Sequence, residues 1–273
     1  MNQSRIAGLW TRERQSAHPS GDIVLIHGLG ESSLCFERLI NTPRLKSWSF
    51  WAPDLPGYGQ SEADPSCRGL QQQAARLARW IEELRLRRVV LAGHSMGGVV
   101  ATLLWEEHPR LAQAFVNIEG NISPGDCHYS AQAAAYDKES FVKEGFEALG
   151  EKIRAKGQDD PAHLAYFESY QKCDPALLHL NSRELVQLSE DGELAARMRD
   201  IGRTRPVIYL AGYPHGAARQ SLDELFKLEV PVRMLYPSGH WPFIDRPEDF
   251  DIELSRFLAT LELTGPAVPR RQD

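Results

Sequence analysis

No stretch of the chain carries the ~18 consecutive apolar residues that a membrane-crossing helix needs, and the first residues, MNQSRIAGLWTRER, hold no apolar core of signal-peptide length. A cytoplasmic protein with no membrane partner is therefore expected. Cysteine is scarce. The four present, Cys35, Cys67, Cys127 and Cys173, show no C-x-x-C spacing and no paired-histidine pattern, which argues against a zinc site and for free thiols in a reducing compartment. Positive charge is not in excess either: 31 Lys and Arg face 37 Asp and Glu, leaving a formal net charge of -6. Such a balance offers no basic face to nucleic acid and modestly favours a neutral or cationic ligand. What remains is an ordinary globular composition, 42% hydrophobic and 25% charged over 273 residues. That is enough for one large α/β domain with an insertion.

Continuous apolar runs at 23–26 and 89–91 read as central parallel strands buried on both faces. Strands are also expected at 22–27, 48–53, 114–118, 206–210 and 230–236, and one at 5–12 belonging to a compressed or incomplete first hairpin. Apolar residues at Leu70, Ala74, Leu77, Ala78, Ile81 and Leu84 recur at helical spacing. Further helices are expected at 31–45, 99–108 and 246–261, with a disordered tail from 264. Gly93-His94-Ser95-Met96-Gly97 lies where the strand at 89–91 turns into the helix at 99–108. A serine in so tight a turn adopts a strained backbone, and its neighbours two residues away must be small, as Gly93 and Gly97 are.

GHSMGG resembles the nucleophile elbow of the α/β-hydrolase superfamily. Ile26-His27-Gly28-Leu29-Gly30, Asp54-Leu55-Pro56-Gly57-Tyr58-Gly59-Gln60-Ser61 and Ser238-Gly239-His240-Trp241-Pro242 match further parts of that family's pattern, so the resemblance covers roughly residues 20 to 262. It implies an α/β fold: a mostly parallel central sheet flanked by helices, with a serine nucleophile and hydrolysis of an ester-like bond. The resemblance makes the Leu29 and Met96 backbone N–H groups the oxyanion hole. It gives Asp54 a loop-ordering role. His240 follows the last strand in the required chain order and is the candidate base. Most of the family places the acid after the penultimate strand, but here that segment reads Ala211-Gly212-Tyr213-Pro214-His215-Gly216, without a carboxylate. The role moves to Glu119, at the carboxyl end of the strand after the elbow, with Asp126 and Asp223 as competitors.

Between 121 and 203 the chain changes to alanine, glutamate and lysine, with helical patterns near 130–136, 139–155, 161–171, 174–180 and 183–188. It reads as a helical cap, or lid, inserted into a core domain made of 1–120 and 204–273. Gly28, His94, Tyr129, Tyr136, Phe146 and Trp241 are the candidate substrate contacts. The expected enzyme is a serine hydrolase of a carboxylic ester, thioester or lactone with an apolar acyl or alcohol part. It uses no cofactor and no metal and works as a monomer or homodimer. Carbon-carbon bond hydrolysis and non-catalytic ligand binding are the alternatives. A haloalkane dehalogenase is disfavoured, because serine and not aspartate occupies the nucleophile position.

Overall fold

The computed structural model describes residues 1–264, and the expected tail lies, beyond its first residue, outside them. The strands are β1 (Asn2–Ile6), β2 (Leu9–Arg14), β3 (Gly21–Ile26), β4 (Trp48–Pro53), β5 (Val89–His94), β6 (Ala112–Ile118), β7 (Val207–His215) and β8 (Val232–Gly239). They form one sheet in the order β1-β2-β4-β3-β5-β6-β7-β8. Only the β1–β2 and β2–β4 pairings are antiparallel. Ile23 to Ile26 and Val90 to Ala92 are completely buried, at roughly 1.5–3 kcal/mol of hydrophobic stabilisation for each larger side chain.

The first hairpin, expected to be compressed or incomplete, is compressed but complete. Ala7 and Gly8 both have positive φ, 45° and 83°, the two-residue turn whose twist suits a tight hairpin. Ile6 and Leu9 consequently pair across it, and two strands fit into the first 14 residues. The single helix expected at 31–45 is instead a 3-10 turn, Ser33–Phe36, continuing into Glu37–Ile40. Ser32 caps its start with its hydroxyl.

The larger helices are α1 (Leu70–Glu83), α2 (Met96–Glu107), α3 (His128–Ala134), α4 (Phe146–Lys156), α5 (Pro161–Tyr170), α6 (Pro175–Glu190), α7 (Leu194–Gly202), α8 (Arg219–Lys227) and α9 (Pro247–Thr264). The expected helices at 174–180 and 183–188 are one, α6, started by Asp174, which accepts hydrogen bonds from the Ala176 and Leu177 amides with Pro175 in the first turn. The pattern at 139–155 is divided by a π turn at Phe141–Gly145. Helices α7 and α8 lie outside the segments whose sequence pattern reads as helical.

Helices α3 to α6 pack among themselves and are tied to loops at the carboxyl end of the sheet. Tyr58 Oη donates to Asn181 Oδ1 at 2.8 Å, the Leu70 amide donates to Glu184 Oε2 at 2.7 Å, and the Ser32 and Ser169 hydroxyls are 2.9 Å apart. Helix α7 packs differently, against α2, β7 and α8, with Arg197 forked onto Glu106. No helix among the described residues is long and apolar enough to cross a membrane.

Candidate active site

Strand register brings the first two side chains together. His94 at the end of β5 pairs with Ile118 at the end of β6, so Ser95 and Glu119 leave neighbouring strands at the same level. The Ser95 amide donates to Ile118 O at 3.0 Å and the Glu119 amide to Leu210 O at 3.1 Å. Ser95 turns the chain into α2 with φ 52° and ψ -123°, a conformation that costs a serine about 1–3 kcal/mol. The flanking glycines are required by space: a Cβ on Gly93 would run into the Gly97 carbonyl, and one on Gly97 into the Ile26 carbonyl.

Glu119 also has positive φ, 51°. Its turn is held by the Gly120 amide donating to Asn117 Oδ1 at 2.9 Å and by Tyr209 Oη donating to Gly120 O at 2.9 Å. The carboxylate is thereby swung over the end of β7, where Oε1 accepts from the Gly212 amide at 2.6 Å and Oε2 lies 3.2 Å from His240 Nδ1. A Cβ on Gly216 would run into the Gly212 carbonyl and come 2.5 Å from Glu119 Oε1, so the Glu119 side chain packs into the turn that follows β7. The two competitors are engaged elsewhere. Asp126 accepts from the Ile122, Ser123 and Ala218 amides and the Ser221 hydroxyl, and Asp223 sits exposed beside Arg219.

His240 follows β8, and its side chain is 31% exposed. Burial opposes its charged form, but the hydrogen bond and charge of Glu119, with the charges of Glu31 and Asp126, raise its pKa above the usual 6.5. Ser95, Glu119 and His240 line one cavity of about 490 Å³. No direct hydrogen bond joins Ser95 Oγ to His240 among the described residues, and such bonds often close only around substrate. Leu29 lines the same cavity. Met96 is the first residue of α2, where an N–H has no acceptor within the helix.

His27 and Asp54 brace the floor. His27 Nε2 accepts from the Leu55 amide at 3.0 Å, so the ring proton sits on Nδ1 and is donated to Gly28 O at 2.9 Å. Burial keeps this ring's pKa below 6.5. Asp54 accepts from the Ser33 and Gln60 amides, an ordering function for the loops it joins.

The remaining candidate contacts divide. Tyr129 and Trp241 line the cavity; Gly28, His94, Tyr136 and Phe146 do not. Tyr136 is 38% exposed and packs edge-on against Phe141. Phe146 is stacked on Tyr170 at 4.4 Å, turned into the packing between α4 and α5. His94 is fully buried beneath the site, and Gly28 meets it through a backbone bond to Glu31. The helical wall of the cavity is also more polar than an aromatic sleeve. Lys156 Nζ lies 3.3 Å from both His128 Nε2 and Tyr129 Oη. Asp160, the cap of α5, holds His163 Nδ1 at 2.6 Å, and the His163 ring meets Trp241 edge-on at 4.9 Å. Burial and the charges of Lys156, His163 and His240 lower the pKa of His128. The sequence signal for this wall was slight: Asp160-Pro161-x-His163 is a helix start with its third turn residue a histidine. Among the described residues no three His, Cys, Asp or Glu side chains come together in a group able to hold a metal ion.

Comparison with known proteins agrees with this architecture. Residues 23–251 match the model of the alpha/beta hydrolase family. The hydrolase YugF of Bacillus subtilis is 36% identical over 90 residues, 33% of each chain. This chain likewise spans only 31% of a Mycoplasma pneumoniae protein named as a candidate esterase/lipase, at 32% identity. Among solved structures, a thermophilic esterase from Thermogutta terrifontis superposes with a TM-score of 0.77 over 96% of this chain and 100% of its own, at 15% identity. The N-acyl homoserine lactonase AidH gives 0.73 over 98% of both chains, at 17% identity. With a family match across most of its length and an eight-stranded, mostly parallel sheet flanked by helices, the chain belongs to the alpha/beta hydrolase family.

Proposed function

We propose that the protein is a serine hydrolase that cleaves a carboxylic ester, thioester or lactone of a small molecule through an acyl-enzyme on Ser95. The observation that carries this reading is the Glu119 carboxylate, buried and clasped between the Gly212 amide and His240 Nδ1 one strand away from Ser95. A serine hydroxyl is a poor nucleophile at neutral pH unless a base takes its proton. His240 receives that proton at Nε2 as Ser95 Oγ bonds to the carbonyl carbon, and Glu119 fixes the tautomer and stabilises the imidazolium. The Leu29 and Met96 amides hold the oxyanion. His240 then protonates the departing alcohol, thiol or ring oxygen. Water, deprotonated by the same histidine, frees Ser95 in the second half.

Residues 121–203 form the proposed cap, with the site-facing part supplied by α3 to α6 and its contacts to the Tyr58, Arg68 and Ser32 loops. Helix α7 serves the core instead. The same constellation can cleave a carbon-carbon bond next to a carbonyl, or hold a ligand without turnover. Solved neighbours of the fold that include an esterase and a lactonase favour the ester reading.

An organophosphonate probe tests the mechanism. Peptide mapping should find the label on Ser95, and Ser95→Ala should lose both labelling and turnover on activated esters. Labelling and activity that survive in Ser95→Ala would place the nucleophile elsewhere. A panel of aryl esters, thioesters, lactones and vinylogous diketones then separates the bond classes.

A further inference from the structure

The cavity lining includes a second buried carboxylate that takes no part in the mechanism above. Glu31 follows the oxyanion turn and is 2% exposed. Its Oε2 accepts from the Gly28 amide at 2.6 Å and lies 2.8 Å from His94 Nδ1; its Oε1 accepts from the Trp241 indole N–H at 2.6 Å. His94 precedes Ser95 and is completely buried, and its Nε2 donates to the main-chain carbonyl of His240 at 2.8 Å. The carboxylate therefore reaches three segments that are far apart in sequence: the turn after β3, the end of β5 and the loop after β8. The packing is close, since a Cβ on Gly28 would sit 2.8 Å from Glu31 Oε2 and 3.0 Å from Ser95 Cβ.

We infer that Glu31 is a positioning residue: through His94, Trp241 and the Gly28 amide it locks the oxyanion turn to the histidine loop and so sets where the base and the oxyanion donors stand relative to Ser95. The inference rests on the reading of Ser95, His240 and the Leu29 amide given above. A site of this kind performs only while donors and base keep their places, and a displacement of about 1 Å can cost two orders of magnitude in rate. Isolated buried carboxylates are costly, and Glu31 persists ionised because its partners compensate. Burial alone would raise its pKa, yet the charge and hydrogen bond of His94, with the bonds from Trp241 and Gly28, bring it down to about 2. Its charge also acts on the base. His240 is faced by Glu119, Asp126 and Glu31, by the buried His94, and by His128, His163, Lys156, His215 and Asp245 around the cavity. Removing the Glu31 charge lowers the His240 pKa.

The test uses the full chain with phosphonate titration of Ser95, so that rates refer to active sites. Glu31→Gln keeps the shape but removes the charge and reverses one hydrogen bond. The expected result on an activated ester is a kcat about a hundredfold lower with KM within about twofold, and an acid limb of kcat/KM moved to lower pH. A folded Glu31→Gln enzyme with kcat within threefold of wild type and an unmoved acid limb overturns the proposal. If Glu31→Gln does not fold, Glu31→Asp decides, because it keeps the charge but draws the carboxylate back by one methylene from the Trp241 indole, the Gly28 amide and His94. A several-fold loss confined to kcat supports the role, and a loss confined to KM, or none, overturns it. Wild-type protein without Ser95-dependent turnover overturns the underlying reading as well, whereas active wild type with unimpaired variants overturns this inference alone.

Discussion

The ends of β5 and β6 and the helices of 121–203 meet the same cavity by different physics. On the sheet side, position follows from ladder pairing: once His94 is opposite Ile118, Ser95 and Glu119 have almost no freedom in where they emerge. On the helical side, a residue reaches the cavity only if its helix happens to be rotated that way. Tyr129 and His163 are, while Tyr136 and Phe146, of the same chemical kind and on the same scaffold, are not. Backbone hydrogen bonds thus set the catalytic candidates, and side-chain packing sets the walls. Changes on the first side should act on chemistry and changes on the second on selectivity.

The largest effect that would break this division is at the acid. Glu119→Gln should keep the fold and lower turnover by roughly ten-thousandfold, the loss seen for the analogous change in a serine protease. Asp126→Asn should lower stability by about 1–3 kcal/mol, because an amide cannot accept every bond that the carboxylate does, and leave kcat nearly intact. Steady-state rates and melting curves on the two variants check this. A dead Asp126→Asn beside an active Glu119→Gln would reverse the assignment.

A smaller but more diagnostic effect is expected at Gly216. Its alanine variant pushes a methyl group into the Gly212 carbonyl and to 2.5 Å from Glu119 Oε1; the melting temperature should fall and kcat should drop by roughly tenfold to a hundredfold. Unchanged kinetics would mean that the carboxylate relaxes without consequence.

On the helical side, Tyr129→Ala should change the ratio of rates on long and short acyl esters by roughly tenfold. Tyr136→Ala and Phe146→Ala should leave that ratio alone, Phe146→Ala at a cost in melting temperature from the lost stack on Tyr170. A changed ratio in either of these two would show that the helices rearrange around substrate.

pH separates the two regions again. His240 must be neutral to accept a proton and its pKa is raised above 6.5, so the acid limb of kcat/KM should lie above pH 6.5. For stability the signs are opposite for His240 and the buried Glu31. His240 holds its proton more tightly folded than unfolded, so its contribution is complete below pH 6.5 and is lost as pH rises through the folded value. Glu31 is depressed from 4.5 to about 2; its contribution is present above pH 4.5 and is lost as pH falls towards 2. Denaturant midpoints across pH check both. Smallest of all, Asp223→Asn, at an exposed pair with Arg219, should stay within about 0.5 kcal/mol of wild type.

Much of the sheet was legible because a strand buried on both faces must be a short, continuous apolar run, as Ile23 to Ile26 and Val90 to Ala92 are. The elbow was legible because only glycine tolerates the carbonyls that crowd Gly93 and Gly97. Glu119 became a candidate from its place at a strand end and because the resemblance to the α/β-hydrolase pattern makes a carboxylate expected between Ala211 and Gly216, where none stands. The Ala7-Gly8 turn was missed because alanine rarely adopts positive φ, and the join of 174–180 to 183–188 because polar positions inside a helix resemble a break.

By itself, then, the chain's order of residues determined the local matters: which runs become strands, where the backbone turns sharply, and which serine, glutamate and histidine lie at strand ends. Tertiary structure alone decided what depends on rotation and long-range meeting. It chose Tyr129 over Tyr136 and Phe146 for the cavity wall, set His163 against Trp241, and brought Glu31 to His94, 63 positions on, and to Trp241, 210 positions on. Periodicity tells which face of a helix is apolar, but not which neighbour that face will find. A buried carboxylate such as Glu31 becomes intelligible only when the donors that stabilise it have been folded around it.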